Sequence, residues 1–432
     1  MRTWTPPELP KLPGSGEAPR LFNTAKGRLE HPAIQDDRAT LYVCGLTPYD
    51  ATHIGHAFTY LTFDIMQRAW RDAGIETVYA QNITDVDDPL LERANATGVD
   101  WRALADEQIG LYRSDMHRLG MIPPDNFVAV TEAIDEIAYG VKQLLERGFA
   151  YTVATSDAEG DDIYFDVRGA QKESQWRLGD VAPYDRSLLE TLSAERGGDP
   201  EREGKRDVLD PLLWRAARAG EPSWDTAVGV GRPGWHIECT VIARQALGEL
   251  FTVQGGGHDL VFPHHEFTAA HATAISGKPL AHAYCHAALV SYEGHKMSKS
   301  RGNLVFVSKL LDGQHAGHCV DPAAIRLALL AHHYRTEWEW FDADLERAER
   351  RLAAWREGLA RVNPEPVSAA SVLQQLRSSL ANDLDTPVML ATLDAALDAG
   401  VDQPALIADA VKALLGVQLV QEDGCGIEPQ GS

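Results

Sequence analysis

The sequence predicts an α/β fold in which a parallel nucleotide-binding sheet is interrupted by an insertion and followed by a helical C-terminal region. A strand, turn, helix and second strand open the chain in that order. Strand patterns of the same kind return after a long polar interruption. From Asp321 onward the chain is periodic in Leu and Ala with few β-branched residues, the pattern of packed helices.

The first strand is the β-rich ATLYVCG, ending at Gly45, and LTPYDAT turns it into an apolar-periodic helix from His56 to Ala73. ETVYAQNIT follows the Gly74 break as a second strand and completes one βαβ unit. Trp101 to Arg147 reads as helical, and YTVAT and DIYFDVRG then alternate like a hairpin, which together read as an insertion. SAERGGDPEREGKRD is charged and glycine-containing and is expected in an exposed loop. LFTVQ and HAYCHAALV resume the sheet, and Pro364, Pro366 and Pro387 punctuate the helices at the end.

The 432 residues require two or three modules, and 44% hydrophobic content suffices to bury them. No run of eighteen apolar residues occurs, and MRTWTPPELPKLPGSG lacks the charged and apolar blocks of a secretion signal. No membrane association and a cytoplasmic location are therefore expected. Cys44, Cys239, Cys285, Cys319 and Cys425 are odd in number and widely spaced, which suits reduced thiols or metal ligands. The net charge of −23 favours small substrates over a nucleic acid backbone.

His53-Ile54-Gly55-His56 lies between the first strand and its helix, where backbone N–H groups and the helix dipole already favour phosphate. Two imidazoles there can donate to a triphosphate, and Gly55 allows close approach to the backbone. Downstream, Lys296-Met297-Ser298-Lys299-Ser300 sits on a loop before Arg301-Gly302-Asn303, placing two ammonium groups where charge on a leaving pyrophosphate can be met. Each motif alone is an ordinary loop; both, in this order, on two halves of an interrupted sheet, are not. The pair resembles the two signature motifs of class I aminoacyl-tRNA synthetases. That resemblance implies adenylate formation by attack of an amino-acid carboxylate on the ATP α-phosphate, with His53, His56, Lys296 and Lys299 as catalytic groups and Mg²⁺ accompanying ATP. It also implies a Rossmann-like parallel sheet with an inserted domain and a C-terminal helical bundle. The expected boundaries are 1–100 and 226–295 for the two catalytic halves, 101–225 for the insertion, 296–340 for the signature-loop and stem-contact region, and 341–432 for the bundle.

Cys44 ends the first strand, Cys239 lies in GRPGWHIECT, and His264 lies in FPHHEF with Pro263 at a helix start. Two thiolates and an imidazole form a borderline-soft set suited to Zn²⁺. The stretches around all three resemble cysteinyl-tRNA synthetase, whose zinc binds the substrate thiol. One Zn²⁺ per chain and L-cysteine as substrate are implied. That family has a glutamate one helical turn after the histidine, where this chain has Thr268. Three protein ligands with an open position are then expected, with Glu266 and His265 as neighbouring alternatives. A soft Zn–S bond would separate cysteine from serine by several kcal/mol, about a thousandfold. By the same resemblance Thr47, Thr84 and Trp235 line the cysteine pocket, and Thr59, Asn82 and Val290 lie near the adenylate. Gly257-His258-Asp259 belongs to the adenosine loop, and Gly45, Leu46 and Ile83 complete the contact set. Trp235 also has a plain reading as a core aromatic.

The acceptor of the activated cysteine is either a tRNA 3′ end or a small amine. From Phe341 to Ser432 there are seven Arg or Lys against fifteen Asp or Glu, a net charge of −8, with little of the basic and aromatic surface an anticodon reader needs. CGLTPYDATHIGHAFTYLTFD, ERGGDP and GHKMSKSRGNLVFVSKL depart from the tRNA enzymes and resemble the cysteine:glucosaminyl-inositol ligases of mycothiol biosynthesis. That family joins the cysteine carboxyl to the amine of glucosaminyl-inositol and releases AMP, which implies a monomer with ATP, cysteine and glucosaminyl-inositol as partners and no tRNA. A tRNA-charging enzyme and a silent regulatory paralogue are the alternative readings. The acidic run from Thr84 to Asp88 has two readings, an acceptor-binding group or a helix cap.

Overall fold

A computed structural model of the chain describes residues 1–50, 52–297 and 302–420. Its centre is a five-stranded sheet in the spatial order Ala281–Ala287, Phe251–Gly257, Arg38–Val43, Glu76–Ile83 and Asn126–Ala129. Every pairing in it is parallel. Leu41, Tyr42 and Val43 are fully buried, as expected for a central strand covered on both faces. The strand order reverses direction between Arg38–Val43 and Phe251–Gly257. In such sheets the crevice beyond the carboxyl ends of the strands at that point is where ligands bind.

Within the stretch 101–225, expected as an insertion, the strand Asn126–Ala129 pairs in parallel with Glu76–Ile83 and forms the edge of the central sheet. Its four residues are too few for a periodic signal between the helices Trp101–Arg118 and Ile134–Glu146. The hairpin that follows, Ala150–Val153 with Asp162–Phe165, starts an antiparallel sheet completed by Leu212–Ala216, Gly229–Pro233 and Trp224–Thr226.

The C-terminal region consists of the helices Pro322–Leu330, Asp342–Leu359, Ala369–Ala381, Thr386–Ala399 and Pro404–Leu415. Asp321, Ser368 and Asp385 cap three of them through side-chain acceptors. Pro387 lies in the first turn of its helix, where its missing N–H costs nothing. A buried charge cluster docks this region on the catalytic sheet: Asp64 Oδ2 accepts from Arg68 Nε at 2.8 Å and Arg326 Nη2 at 2.6 Å. Arg326 also donates to the Leu415 and Leu119 carbonyls. The two guanidiniums hold the Asp64 carboxyl below its ordinary range in spite of its burial. Removing one member of such a cluster strands a charge and costs about 3–5 kcal/mol. Among the described residues, no helix is long and apolar enough to cross a membrane.

Candidate active site

His53 caps the helix Ile54–Asp72, its Nδ1 accepting from the His56 backbone N–H at 3.4 Å. Its ring stacks on that of His56 with centroids 3.7 Å apart. Burial and mutual proximity lower the His53 pKa well below the usual range, and burial brings His56 to about 4. Both imidazoles are therefore neutral donors at pH 7, not fixed charges. A Cβ on Gly55 would lie 3.0 Å from the His53 ring, so a side chain there would crowd the histidine.

Opposite the histidines, Lys296 Nζ pairs with Asp259 Oδ2 at 2.9 Å. Burial of Asp259 is overcome by Lys296 and Arg196, which hold its carboxyl below the ordinary range. These groups share a cavity of about 280 Å³ with Thr47, Thr59, Gly257 and Val290. His258 is exposed and points its contacts elsewhere, its ring edge-on to His286 at 6.3 Å. Lys299 lies outside the described residues.

The sheet brings Cys44, Cys239 and His264 together from three distant segments. Cys44 follows the strand Arg38–Val43, Cys239 is in the second turn of the helix Trp235–Leu247, and His264 precedes the helix Glu266–Ser276. One sulfur, a second sulfur and one imidazole nitrogen all lie within 4.8 Å of one another and are buried. Burial and the neighbouring Cys239 raise the Cys44 thiol, whereas at Cys239 burial is overcome by the Cys44 hydrogen bond and His264. The donor set, two sulfurs and one imidazole nitrogen, fits a single Zn²⁺.

The alternatives for a fourth ligand are occupied elsewhere. Glu266 turns to the insertion and accepts from Trp176 Nε1 at 2.9 Å and from the Gly179, Val181 and Ala182 backbone N–H groups at 3.1, 2.9 and 2.8 Å. Thr268 donates its hydroxyl to the His265 carbonyl. His265 stands behind Cys44, with Nε2 3.3 Å from its sulfur and Nδ1 2.7 Å from His286 Nε2. Among the described residues, Cys44, Cys239 and His264 are therefore the three groups placed to hold a metal ion.

Asn82 lies beneath this centre. Its Oδ1 accepts from the Gly45 N–H at 2.8 Å and from Tyr42 at 3.1 Å, with Cys239 Sγ 3.5 Å away. It braces the Cys44-Gly45 turn against Cys239, and a Cβ on Gly45 would collide with the Asn82 carbonyl at 1.6 Å. Thr84 receives the Asn82 amide and donates its N–H to the Leu46 carbonyl, while Ile83 is wholly core. Trp235 is half-buried and lies against His264, centroid to centroid 4.4 Å.

Sequence reasoning missed Gln254, which donates to Cys44 Sγ at 3.2 Å, and Arg196, which donates to the Asp259 carbonyl at 2.6 Å and to the Phe262 carbonyl. Arg196 sits in ERGGDP, a stretch the sequence marks as an exposed loop and as a point of resemblance to the ligases, so the signal was present but its partner was not.

A second cavity of about 530 Å³ opens beside the first, between the helix start at Trp235 and the insertion. Thr47 and Tyr49 line both.

Comparison with known proteins agrees with this geometry. Residues 30–350 match the tRNA synthetases class I (C) catalytic domain. Over 97% of its length the chain is 55% identical to the L-cysteine:1D-myo-inositol 2-amino-2-deoxy-alpha-D-glucopyranoside ligase of Clavibacter michiganensis subsp. michiganensis, covering 99% of that protein. It is 51% identical, again over 97% of the chain, to the ligase of that name from Micrococcus luteus, covering 100% of it. Among solved structures, Mycobacterium tuberculosis methionyl-tRNA synthetase in complex with methionyl-adenylate superposes with a TM-score of 0.56 at 16% identity, over 87% of this chain and 83% of that one. That likeness concerns the fold. The chain belongs to the L-cysteine:1D-myo-inositol 2-amino-2-deoxy-alpha-D-glucopyranoside ligase family, built on a class I tRNA synthetase catalytic domain.

Proposed function

We propose that this chain is an ATP-dependent ligase that activates L-cysteine as cysteinyl-adenylate and transfers it to the amine of 1D-myo-inositol 2-amino-2-deoxy-glucopyranoside. An amide forms, and pyrophosphate and AMP leave in the two steps. The observation that carries this reading is the buried Cys44–Cys239–His264 set lying beside two cavities that meet at Thr47. A thiol substrate, a nucleotide and an acceptor can then converge on one carbonyl.

Cys44, Cys239 and His264 would hold one Zn²⁺ per chain. When bound, that ion supplies a soft Lewis-acid position for the cysteine thiolate and thereby excludes serine. Trp235 flanks the amino acid, and Thr84 and the Cys44-Gly45 turn shape its far side. His53 and His56 donate hydrogen bonds to ATP, which enters with Mg²⁺, and Lys296 meets the charge that grows on pyrophosphate as the cysteine carboxylate attacks the α-phosphorus. In this reading Lys299 assists from the same loop. The enzyme acts as a cytoplasmic monomer and needs no tRNA.

The test follows AMP release with ATP, cysteine and either the amino-sugar inositol or tRNA. Turnover with the amino sugar alone supports the proposal. Cysteine transfer to tRNA without turnover of the amino sugar would replace it with a tRNA-charging enzyme.

A further inference from the structure

The larger cavity reaches from Thr47 and Trp235 out to the insertion, and its lining differs in kind from the nucleotide cavity. Carboxylates outnumber guanidiniums around it, with Asp87, Asp88, Glu195, Asp199 and Asp210 in its lining against Arg196, Arg215 and Arg232. Phosphate-rich ATP is disfavoured there, whereas a cationic polyol is suited to it. Its volume of about 530 Å³ lies within the range of about 300–1,000 Å³ typical of small-molecule sites.

The acidic run beside the cavity is not uniform. Asp85 is turned away and accepts from the Thr131 N–H and hydroxyl. Asp88 is paired with Arg232, which is also held by Glu221. Asp87 caps the helix Asp88–Thr97 through Oδ1, accepting the Asp88 N–H at 2.8 Å. Among the described residues its Oδ2 takes a long contact of 3.5 Å from Thr47 Oγ1, and Thr47 lines both cavities. A carboxylate oxygen therefore stands beside Thr47, one of the two residues that line both cavities.

We infer that the larger cavity is the acceptor site and that Asp87 docks the acceptor's ammonium group and takes its proton before attack. This assignment rests on the proposed function and deepens it. The step balances: the ammonium gives one proton to the Asp87 carboxylate, and the freed nitrogen lone pair attacks the adenylate carbonyl carbon. The carbon–nitrogen bond forms, the acyl–phosphate carbon–oxygen bond breaks with its electron pair leaving on AMP, and the remaining excess proton on nitrogen passes to solvent.

The environment of Asp87 suits a proton acceptor working near neutrality. Burial raises its carboxyl to about 6, against the stabilising Asp88 N–H, Arg232 and Thr47. The charged and titratable groups around it are Asp88, Arg232, Glu238 and Tyr49. Arg232 is tied to Asp88 and Glu221, so it does not neutralise Asp87 by direct pairing.

Asp87→Asn separates this role from capping, because asparagine caps a helix as well as aspartate does. The measurements are cysteine-dependent pyrophosphate exchange, which needs no acceptor, and amide formation from the amino-sugar inositol, with its KM and pH profile. Expected for Asp87→Asn is a loss of amide formation about a hundredfold greater than any loss of exchange, a raised KM for the amino sugar, and loss of the acidic limb near pH 6. Near-normal amide formation in Asp87→Asn, with Asp87→Ala impaired, would reduce Asp87 to a cap and overturn the assignment. Equal losses of exchange and amide formation would place Asp87 with the cysteine instead, also overturning it. A wild-type protein that exchanges pyrophosphate but converts no amino sugar would overturn the proposed function, and the assignment with it.

Discussion

The nucleotide cavity takes its lining from residues close to two short motifs at the ends of parallel strands, whereas the larger cavity is assembled from a helix start, an acidic turn and an arm of the insertion. The first holds neutral imidazoles, a lysine and two glycines, Gly55 and Gly257, that leave backbone exposed in its lining. The second is acidic and polar, and its outer wall comes from the stretch Ser193 to Asp199. Activation chemistry of this kind needs a fixed geometry around ATP. In the proposed reading, the acceptor is chosen where the insertion meets that geometry. Arg196 joins the two: it belongs to the insertion's wall, yet it donates to the carbonyls of Asp259 and Phe262 on the nucleotide side.

The largest expected effect lies where both cavities depend on one centre. Stripping the metal, or Cys239→Ala, should lower cysteine-dependent pyrophosphate exchange by about a thousandfold or more, since the thiol loses its anchor and the carboxylate its placement. Full exchange by metal-free protein would remove the metal from the account. Lys296→Ala should break the nucleotide side alone, lowering kcat for exchange by about 10²–10³ with little change in cysteine KM. A change confined to KM would assign Lys296 to binding.

Arg196→Ala sharpens the comparison, because a clamp between the cavities should disturb both. About a tenfold rise in KM is expected for ATP and for the amino sugar together, from displacement of the Asp259 turn and the insertion arm. A rise for the amino sugar alone would make Arg196 part of the acceptor wall only.

The smallest effect concerns protons. His53 and His56 have folded-state pKa values below the ordinary histidine value, so the folded state disfavours protonation. Their contribution to stability is complete above about pH 6.5 and is lost as the pH falls from there toward 4. Exchange should therefore vary by less than about twofold between pH 7 and 8 on their account, and thermal stability should decline below pH 6.5. A loss of exchange on raising the pH through 7 would mean that a charged imidazole is required.

Much of this was legible in the sequence because strand ends write their chemistry locally. Cys44 and the His53 tetrad lie next to one strand, Gly257 and Asp259 next to another, and the sheet register brings them together without further information. Cys239 and His264 were identified through resemblance; no spacing rule unites residues from two helix starts. What stayed hidden depended on long-range partners. Glu266 looked available as a metal ligand until four donors from the insertion occupied it. The bracing of Gly45 by Asn82 could not be read from the sequence either, since its two partners lie 37 positions apart. Asp87 could not be separated from Asp85 and Asp88 until Thr131 and Arg232 were placed beside them. The strand Asn126–Ala129 was lost inside a helical pattern for the same reason, its identity coming from a neighbour 46 positions earlier.

The central claim is that one adenylate, formed in the first cavity, is captured by a small amine in the second. The most direct measurement supplies ATP and cysteine with the amino-sugar inositol or with tRNA, at low and at physiological ionic strength, and follows both AMP and the fate of the cysteine. The account predicts amide formation with the amino sugar that moderate salt hardly changes, and weak tRNA binding that salt removes. Tight, salt-resistant tRNA binding with cysteine transferred to tRNA, and no amide from the amino sugar, would contradict it.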